Sequence, residues 1–528
     1  MSETVIELRN VTKTFGSVTS NDHVSMKIEK GEILALLGEN GSGKTSLMNM
    51  LSGIYFPDEG EIILNGKPVT IRDPRDAYEL GIGMVHQHFK LVDVFTASEN
   101  MILGIDAKAK LDRKKIAAQI KEICDKYGFV IDPDKKVYDM SVSEKQTLEI
   151  VKVLYRGADI LILDEPTAVL TPQETDRLFD VIRNMKKNGK TVIIITHKLH
   201  EVLSISDRVA ILRRGHYIGT VNTSEATESS LTEMMVGKKV ELNIERPVIE
   251  NKELLLEVRN LNCINPEGIK VLKDINFDVY GGEILGIAGI SGSGQKELLE
   301  SIAGLQKNEK GSSIIYYQPH ARDESIDGDQ LVGKTPREIR DLGIRLSFVP
   351  EDRLGMGLVG SMGMTENMML KDYRSNGHIV ANVKKPRMLA EKIKDELEVV
   401  TPSISTPVKN LSGGNVQKVL VGREIAASPT VLMTAYAVRG LDINTSYTIY
   451  HLLNEQKKKG SAVIFVGEDL DVMVALCDRI LVLCDGRVNG ILTYTPGGEN
   501  KDFNKGNIGL MMTKIDYKDE TEGGKADE

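Results

Sequence analysis

Short apolar segments alternate with amphipathic segments along the whole chain. Runs such as EILALL (32–37), DILILD (159–164) and TVIIIT (191–196) are almost entirely aliphatic, as is typical of strands buried on both faces. The stretches between them place apolar residues at helical spacing. This alternation predicts an α/β fold in which helices cover a mainly parallel sheet. Residues 90–150 are richer in helical spacing and in Lys and Glu, and they predict a helical subdomain inserted into the sheet domain.

The same pattern occurs twice along the chain, as an internal sequence repeat. VIELRNVTKTF (5–15) is echoed by LLEVRNLNCIN (255–265), and KGEILALLGENGSGK (30–44) is echoed by GGEILGIAGISGSGQ (281–295). A repeat of this kind takes precedence over a domain count based on length, because each copy forms one structural unit. We expect the last residues, 516–528, to be disordered. The predicted bounds are domain 1 at 1–240, a linker at 241–253, domain 2 at 254–500 and a polar C-terminal tail at 501–528.

Composition and charge narrow the class of protein. Of 528 residues, 41% are hydrophobic and 27% are charged, which is the usual balance of a globular protein. No apolar run approaches the roughly 18 residues that cross a bilayer, and the N-terminus lacks the order of a signal peptide, so we expect the protein to stay inside the cell. A net charge of -9 argues against nucleic acid as a partner. Four cysteines without zinc or disulfide spacing are interpreted as reduced core thiols: Cys124, Cys263, Cys477 and Cys484.

The segment GENGSGKT (38–45) fits the phosphate-loop pattern G-x-x-x-x-G-K-[ST]. A strand-like run precedes it and a helical run follows it, which favours a phosphate site over a plain Gly-rich turn. Backbone N–H groups and the positive end of the helix bind the anion, Lys44 adds a cation at the terminal phosphates, and the Thr45 hydroxyl can ligate Mg2+. The motif predicts ATP and Mg2+ as ligands. The predicted nucleotide-binding residues are Gly38, Glu39, Asn40, Gly41, Ser42, Gly43, Lys44, Thr45 and Ser46.

Two adjacent carboxylates, Asp164 and Glu165, end an apolar strand, at the edge where open α/β sheets bind ligands. Asp164 would hold Mg2+ through water, and Glu165 would orient or deprotonate the attacking water. The alternative is a helix-capping turn without catalytic function. His197 could donate a hydrogen bond to the terminal phosphate, and Gln87 could sense that phosphate or the metal. The predicted catalytic residues are Glu165, His197, Gln87 and Lys44, and the predicted metal ligands are Thr45, Gln87 and Asp164.

This ordered set of motifs resembles the ATP-binding subunits of ABC transporters. The resemblance covers nearly the whole chain twice, and it rests on the phosphate loop, Gln87, the acidic pair and His197 in that order. It implies a P-loop ATPase fold in both domains and ATP hydrolysis. It also implies an aromatic ring that stacks on adenine, and Phe15 stands at the matching position.

Domain 2 keeps the scaffold of the motifs but changes their chemistry. Loss of the lysine charge and of the metal carboxylate removes the strongest electrostatic contributions to phosphoryl transfer. We therefore expect no hydrolysis by the residues of domain 2. The pairs of matching residues are Phe15 and Asn265, Lys44 and Gln295, Gln87 and Glu351, Asp164 and Ala435, Glu165 and Tyr436, and His197 and Glu468.

The family's signature segment shows the reverse asymmetry. LSGGN (411–415) is intact in domain 2, and its amides and serine hydroxyl can approach phosphate closely because the glycines carry no side chain. Domain 1 instead reads MSVSEKQ (140–146). A plain helix cap is the alternative for LSGGN, but its spacing before the Ala435 strand equals that of MSVSEK before Asp164. Because the resemblance places each signature against the nucleotide of the other domain, it implies one complete site and one deficient site. The complete site would add Ser412, Gly413, Gly414 and Asn415 to the residues of domain 1.

Two fused ATPase domains of this kind resemble the import ATPases of the monosaccharide and nucleoside group. DEPTAVLTPQE (164–174) and the altered signature lean toward the nucleoside branch. The group implies two membrane permease subunits, an extracellular solute-binding lipoprotein and peripheral association with the cytoplasmic face of the cell membrane. The permeases would dock near the segments that follow Gln87 and Glu351. The alternative is a soluble twin ATPase that acts on ribosomes or nucleic acid, which the short and weakly basic connector disfavours.

Overall fold

The chain forms two compact units, residues 1–241 (unit 1) and 242–528 (unit 2). Both units contain the same order of strands and helices, as the sequence repeat predicts. The computed structural model describes residues 3–16, 18–87, 89–104, 113–168, 170–237, 243–250, 252–265, 268–290, 292–319, 328–341, 346–350, 352–370 and 383–513.

The described residues of unit 1 contain ten strands and eight α-helices. The strands are Thr4–Phe15 (β1), Val18–Glu29 (β2), Ile33–Leu37 (β3), Glu59–Leu64 (β4), Lys67–Val69 (β5), Ile82–Val85 (β6), Ile160–Asp164 (β7), Thr191–Ile195 (β8), Arg208–Arg213 (β9) and His216–Asn222 (β10). The helices are Lys44–Leu51 (α1), Pro74–Glu79 (α2), Ala97–Ile102 (α3), Arg113–Tyr127 (α4), Val142–Tyr155 (α5), Pro172–Lys187 (α6), Leu199–Ile205 (α7) and Glu228–Val236 (α8).

The predicted parallel sheet is the centre of unit 1. Six strands run in the order β10-β9-β3-β8-β7-β6, and every neighbouring pair is parallel except β9 and β10. Strands β3, β7 and β8 are buried along their whole length. Because the strands are parallel, the segments that follow β3, β6, β7 and β8 emerge at one edge of the sheet. This edge brings together residues that lie far apart in the sequence.

A second sheet of unit 1 was not predicted. Four antiparallel strands lie in the order β2-β1-β4-β5. Strand β1 pairs with its chain neighbour β2 and with β4, which begins more than forty residues later. Periodicity predicts that a strand exists, but its partner is decided by packing over long distances in the chain.

The predicted helical subdomain is confirmed. Helices α3, α4 and α5 lie between β6 and β7, and only the end of α5, at Tyr155, extends past the predicted range 90–150. Their buried side chains, such as Met101, Ile120 and Leu148, share one apolar cluster with Phe179 of α6. A separate apolar cluster joins the other face of the parallel sheet to β1, β2, β4 and α1.

Unit 2 repeats this architecture. Its six-stranded sheet has the order β16-β17-β18-β13-β19-β20 and its antiparallel sheet the order β12-β11-β14-β15. None of the helices in the described parts of either unit is long and apolar enough to cross a membrane. The strands are Leu254–Ile264 (β11), Lys270–Tyr280 (β12), Ile284–Ala288 (β13), Ser313–Tyr316 (β14), Asp329–Gln330 (β15), Leu346–Val349 (β16), Val431–Ala435 (β17), Ala462–Val466 (β18), Arg479–Cys484 (β19) and Arg487–Thr493 (β20). The helices are Gln295–Ile302 (α9), Pro336–Asp341 (α10), Met364–Met369 (α11), Lys384–Glu396 (α12), Gly413–Ala426 (α13), Ile443–Lys458 (α14), Leu470–Leu476 (α15) and Lys505–Thr513 (α16).

The predicted polar tail, 501–528, begins too early. Its residues 505–513 form helix α16, in which Ile508 and Met511 are buried in the core of unit 2. The repeat contains the signal for this helix, because α8 of unit 1 buries Leu231 in the matching position of the fold. The charged end at 516–528 lies outside the described residues.

The described part of the predicted linker packs against unit 2. Asn454 Nδ2 donates to the Glu245 carbonyl oxygen at 2.6 Å, and the Arg246 guanidinium stacks 3.7 Å above the centre of the Tyr494 ring.

The four cysteines are buried and carry free thiols, as the sequence predicts.

Candidate active site

The loop between β3 and α1 can be built only with glycine at two of its positions. Gly43 has φ 97°, and a Cβ atom there would lie 2.3 Å from the Ser20 carbonyl oxygen. A Cβ atom at Gly38 would lie 2.4 Å from the Leu212 carbonyl oxygen. Since these contacts are with backbone atoms, a larger residue at either position would displace the loop. Asn40, Gly41 and Thr45 are exposed.

Lys44 is folded back into this loop. Its Nζ donates to the carbonyl oxygens of Gly38 at 2.7 Å and Glu39 at 2.9 Å. The side chain is buried, and burial lowers the pKa of Lys44 although Glu165 and Asp164 oppose the shift. The Ser42 hydroxyl is also buried and has no hydrogen-bond partner among the described residues. A buried cation beside an unpartnered hydroxyl fits the phosphate oxygens of a nucleotide.

Asp164 lies at the end of β7 beside the start of α1. The Thr45 side chain forms a hydrogen bond with the Asp164 carboxylate. Burial, and then the charge of Glu165, raise the pKa of Asp164 to about 6. A divalent cation would stabilise the ionised form of Asp164. Carboxylate and hydroxyl oxygens are ligands that Mg2+ accepts. The residues present therefore fit a Mg2+ ion.

Asp164→Asn is expected to stabilise the nucleotide-free protein. Because the folded pKa of Asp164 is about 6, its ionised form costs free energy in the folded chain above that pH, and the cost falls as pH drops through 6. Removing the charge should raise the free energy of unfolding by on the order of 1 kcal/mol at pH 7.5. Thermal unfolding in EDTA at pH 7.5 and pH 5 measures the effect. The exposed Asp180→Asn is the matched control, and an unchanged or lower melting temperature for Asp164→Asn would contradict the expectation.

Glu165 is held by residues from two other segments. His197 Nδ1 donates to Glu165 Oε1 at 2.9 Å, and Gln87 Nε2 donates to Glu165 Oε2 at 2.9 Å. The hydrogen bond from His197 lowers the pKa of Glu165 although burial opposes it. Glu165 is left-handed, with φ 47°, and its N–H donates to the Ile195 carbonyl oxygen at 2.9 Å. The carboxylate is therefore ionised and fixed in orientation, as a group that orients water requires.

Phe15 ends β1 and its side chain is 43% exposed. Tyr55 meets the Phe15 ring edge to face, with centroids 5.0 Å apart. Lys13 Nζ lies 5.6 Å from the centre of the same ring. The ring is supported from the side and can accept a planar group on its exposed part. Sequence reasoning missed Tyr55 and Lys13, because neither belongs to a motif.

Asn21 is a third residue that sequence reasoning missed. It is fully buried, and its Nδ2 donates to the Gly43 carbonyl oxygen at 3.1 Å. Nearby, Ser20 donates to the Ser46 hydroxyl at 2.8 Å. Both contacts support the phosphate loop from β2. The repeat offered a signal, since the residue that lies against the matching glycine of unit 2 is the apolar Leu272.

In the matching loop of unit 2, a neutral side chain repeats one of the contacts of Lys44. Gln295 Nε2 donates to the Ile290 carbonyl oxygen at 3.1 Å, as Lys44 does to Glu39. Ala435 stands at the position that matches Asp164, and it lines a cavity of about 270 Å³ together with Lys296 and other residues.

The other matching positions of unit 2 carry side chains that differ from those of unit 1. The backbone of Tyr436 has the left-handed conformation, with φ 52°, as that of Glu165 does, but the side chain is a phenol ring. Glu468 pairs with Arg439 at 2.9 Å. Asn265 closes a turn by accepting from the N–H of Ile269 at 2.8 Å. Glu351 lies outside the described residues.

The two signature segments differ at the helix N-terminus. In unit 1, Ser141 and Glu144 form a capping box at the start of α5, and Lys135 Nζ donates to Glu144 Oε1 at 2.7 Å. Burial opposes ionisation of Glu144, but the hydrogen bonds from Lys135 and Ser141 outweigh it and lower the pKa of Glu144. The Glu144 carboxylate therefore occupies the N-terminus of α5 and disfavours binding of an anion there.

Helix α13 of unit 2 begins without such a charge. Ser412 is its N-cap, and the Ser412 hydroxyl accepts from the neutral Asn415 Nδ2 at 2.9 Å. Ser412 and Gly413 are exposed, and Gly414 is half-buried. The positive end of α13 therefore stays available to an anion.

Comparisons with known proteins agree with these motifs. The sequence profile of the family described as "ABC transporter" matches residues 21–168 and 272–434. The chain is 41% identical over 497 residues to the nucleoside import ATP-binding protein NupA of Lactococcus lactis subsp. cremoris, covering 93% of this chain and 96% of that protein. It is 39% identical over 529 residues to the guanosine import ATP-binding protein NupO of Bacillus subtilis, covering 99% of each. It is 38% identical over 546 residues to the glucose import ATP-binding protein TsgD13 of Haloferax volcanii, covering 97% of this chain and 96% of that protein.

Proposed function

This chain belongs to the ABC transporter family, and from that premise we propose that it hydrolyses ATP to power the import of a nucleoside through separate membrane permeases. One observation carries the proposal. In unit 1, Lys44, Thr45, Asp164, Glu165, Gln87 and His197 form a single group around the phosphate loop, linked by hydrogen bonds and by the electrostatic coupling of Lys44 to both acids.

Each residue of this group has a distinct task in the proposed reaction. Lys44 and the loop amides hold the phosphates, and Phe15 stacks on the adenine. When bound at Thr45 and Asp164, Mg2+ neutralises charge on the phosphate oxygens. Glu165 orients the attacking water and accepts its proton. Gln87 and His197 keep the Glu165 carboxylate in place.

The proposal assigns hydrolysis to the residues of unit 1 alone. The neutral Gln295 and the aromatic Tyr436 of unit 2 can supply neither the cation nor the base. The contribution of the unit 2 signature stays a prediction taken from the family resemblance. The resemblance implies contact between the ATP phosphates and four residues of unit 2: Ser412, Gly413, Gly414 and Asn415.

A nucleoside is the proposed solute because two of the three relatives described above import nucleosides according to their names. The glucose importer is similar at nearly the same identity, so sugar import is the second candidate. Two permease subunits, a solute-binding lipoprotein and a peripheral position at the cytoplasmic face of the membrane belong to the same proposal. Their support is the family's import members.

Reconstitution tests the solute. The chain is combined in liposomes with the permeases and the solute-binding protein encoded beside it, and ATP hydrolysis is measured with added solutes. Guanosine or adenosine is expected to stimulate hydrolysis at least about threefold over the basal rate, since binding of the correct solute favours the transport-competent state. Ribose, xylose and glucose should have no effect. Stimulation by a sugar alone would contradict nucleoside import but leave ATP-driven import intact, and Lys44→Ala in the same liposomes gives the background.

A further inference from the structure

The segment that follows β16 in unit 2 is fixed against the signature helix α13. Asp352 caps a single wide turn by accepting from the Gly355 N–H at 2.8 Å. At the other end of the turn, Arg423 of α13 donates through Nη2 to the Gly357 carbonyl oxygen at 2.7 Å. Residues 352–358 are therefore attached to the last turn of α13.

Arg353 reaches from this turn to two further segments. Its Nη1 donates to the carbonyl oxygen of Gly413 at 3.3 Å, and its Nη2 donates to the carbonyl oxygen of Arg439. Gly413 is the first residue of α13, and Arg439 lies shortly before Asp442, the N-cap of α14. One guanidinium thus connects the turn, the signature and the loop after β17.

This position is costly for a cation. Burial lowers the pKa of Arg353, and the neighbouring charge of Arg439 lowers it further, yet a guanidinium stays protonated in a protein. The guanidinium also lies beside the N-terminus of α13, whose partial positive charge repels a cation. A residue that departs from a local rule in this way is expected at a functional position.

The contact reaches the signature turn itself. A Cβ atom at Gly413 would lie 3.1 Å from Arg353 Nη1, and a Cβ atom at Gly414 would lie 3.9 Å from Asp442 Oδ2. The first glycine is therefore packed against the guanidinium and the second faces the loop that Arg353 also holds. The exposed Ser412 precedes both. A shift of Arg353 would move the backbone that carries the serine and the two glycines.

The described residues of unit 1 do not contain this connection. Counting from the matching strands β6 and β16, the residue at the position of Arg353 is Phe89, which has no donor. The helix of that unit begins with a capping carboxylate instead. The Arg353 guanidinium therefore contacts the intact signature of unit 2, whereas the matching residue near the altered signature of unit 1 is Phe89.

We propose that Arg353 is a positioning residue that holds the signature turn 412–415 in the geometry with which it meets ATP. The inference deepens the proposed function, on which it rests, and assigns to it a residue outside the family motifs described above.

A double-mutant cycle tests this role in the full-length chain. Arg353→Gln and Ser412→Ala are each expected to lower kcat for ATP about tenfold, while the KM and the affinity for ATP, which depend on the phosphate loop of unit 1, change less than about twofold. The double variant should be no slower than the slower single variant by more than about twofold, because Arg353 acts through the signature. Arg387→Gln, an exposed residue of α12 paired with Glu391 at 3.1 Å, is the matched control and should keep the kcat of the original protein.

The outcomes separate the inference from the function on which it rests. A kcat of Arg353→Gln within about twofold of the original protein would overturn the inference, and so would multiplicative losses in the double variant. If Arg353→Gln loses its folded circular dichroism spectrum, Arg353→Lys replaces it in the same cycle, since lysine keeps the charge but not the two-pronged contact. A chain without Lys44-dependent turnover would instead contradict the proposed function.

Discussion

Lys44→Ala is expected to reduce ATP turnover by at least about a hundredfold, whereas Gln295→Ala should leave it within about twofold. Lys44 brings a buried cation to the phosphate loop, where the low dielectric makes its charge effective. Gln295 occupies the same position in unit 2 with a neutral amide that donates to the Ile290 carbonyl oxygen. Removing it takes away no charge from the reaction.

Steady-state phosphate release by the full-length variants measures both effects under identical conditions. Circular dichroism establishes that each variant is folded, because both substitutions leave a cavity in a buried loop. Equal losses in the two variants would show that Gln295 of unit 2 is as necessary for hydrolysis as Lys44 of unit 1. Such a result would reject the assignment of catalysis to unit 1, whatever the solute.

Glu165→Gln is the second change with a large expected effect. Its kcat should fall by a factor of about 100 to 10,000, the usual range for loss of a general base. ATP binding should persist, because glutamine keeps the size of the side chain and its oxygen can still accept one of the hydrogen bonds from Gln87 and His197. Tyr436→Phe in unit 2 is the matched control, and its turnover should stay within about twofold of the original protein.

Single-turnover hydrolysis and retention of labelled ATP on the purified chain distinguish loss of chemistry from loss of binding. If Glu165→Gln hydrolysed ATP at a tenth of the original rate or faster, Glu165 would not be the base. If it failed to retain ATP, its hydrogen-bonded network would serve binding instead. In either case the two carboxylates of unit 1 would need new roles.

The comparison of Glu165 with Tyr436 shows that left-handed backbone at this position belongs to the fold and not to catalysis. Both residues have positive φ, 47° and 52°. Both also donate their N–H to the end of the neighbouring strand, at Ile195 and Val466 respectively, at 2.9 Å. A left-handed residue other than glycine costs about 1 kcal/mol or more, and unit 2 retains that cost without an acidic side chain. The turn is therefore needed to leave the sheet, and unit 1 uses it to present a carboxylate.

The prediction of the parallel sheet and the helical subdomain succeeded because both depend on local periodicity. The antiparallel sheet and helix α16 were missed for the opposite reason. Strand β1 pairs with β4 across a long stretch of chain. Helix α16 has nine residues, two of them glycine, so its local helical signal is weak. Its helical character is visible only when it packs on β19, as α8 packs on β9.

The sequence by itself determined which residues can do chemistry and in which unit they stand. Lys44, Asp164 and Glu165 are recognised within short motifs, since a phosphate loop and a strand that ends in two acids are local features. The missing charges at Gln295 and Ala435 are equally local, so the asymmetry of the two units was also predicted.

Only the tertiary structure decided how these groups act on one another. The parallel order of β6, β7 and β8 brings Gln87 and His197 onto the two oxygens of Glu165, and burial raises the pKa of Asp164. The distances between these groups, and the desolvation of each group, depend on segments that are far apart in the chain. A local sequence pattern contains no information about either quantity. Arg353 is a further case, because its two carbonyl partners lie 60 and 86 residues away.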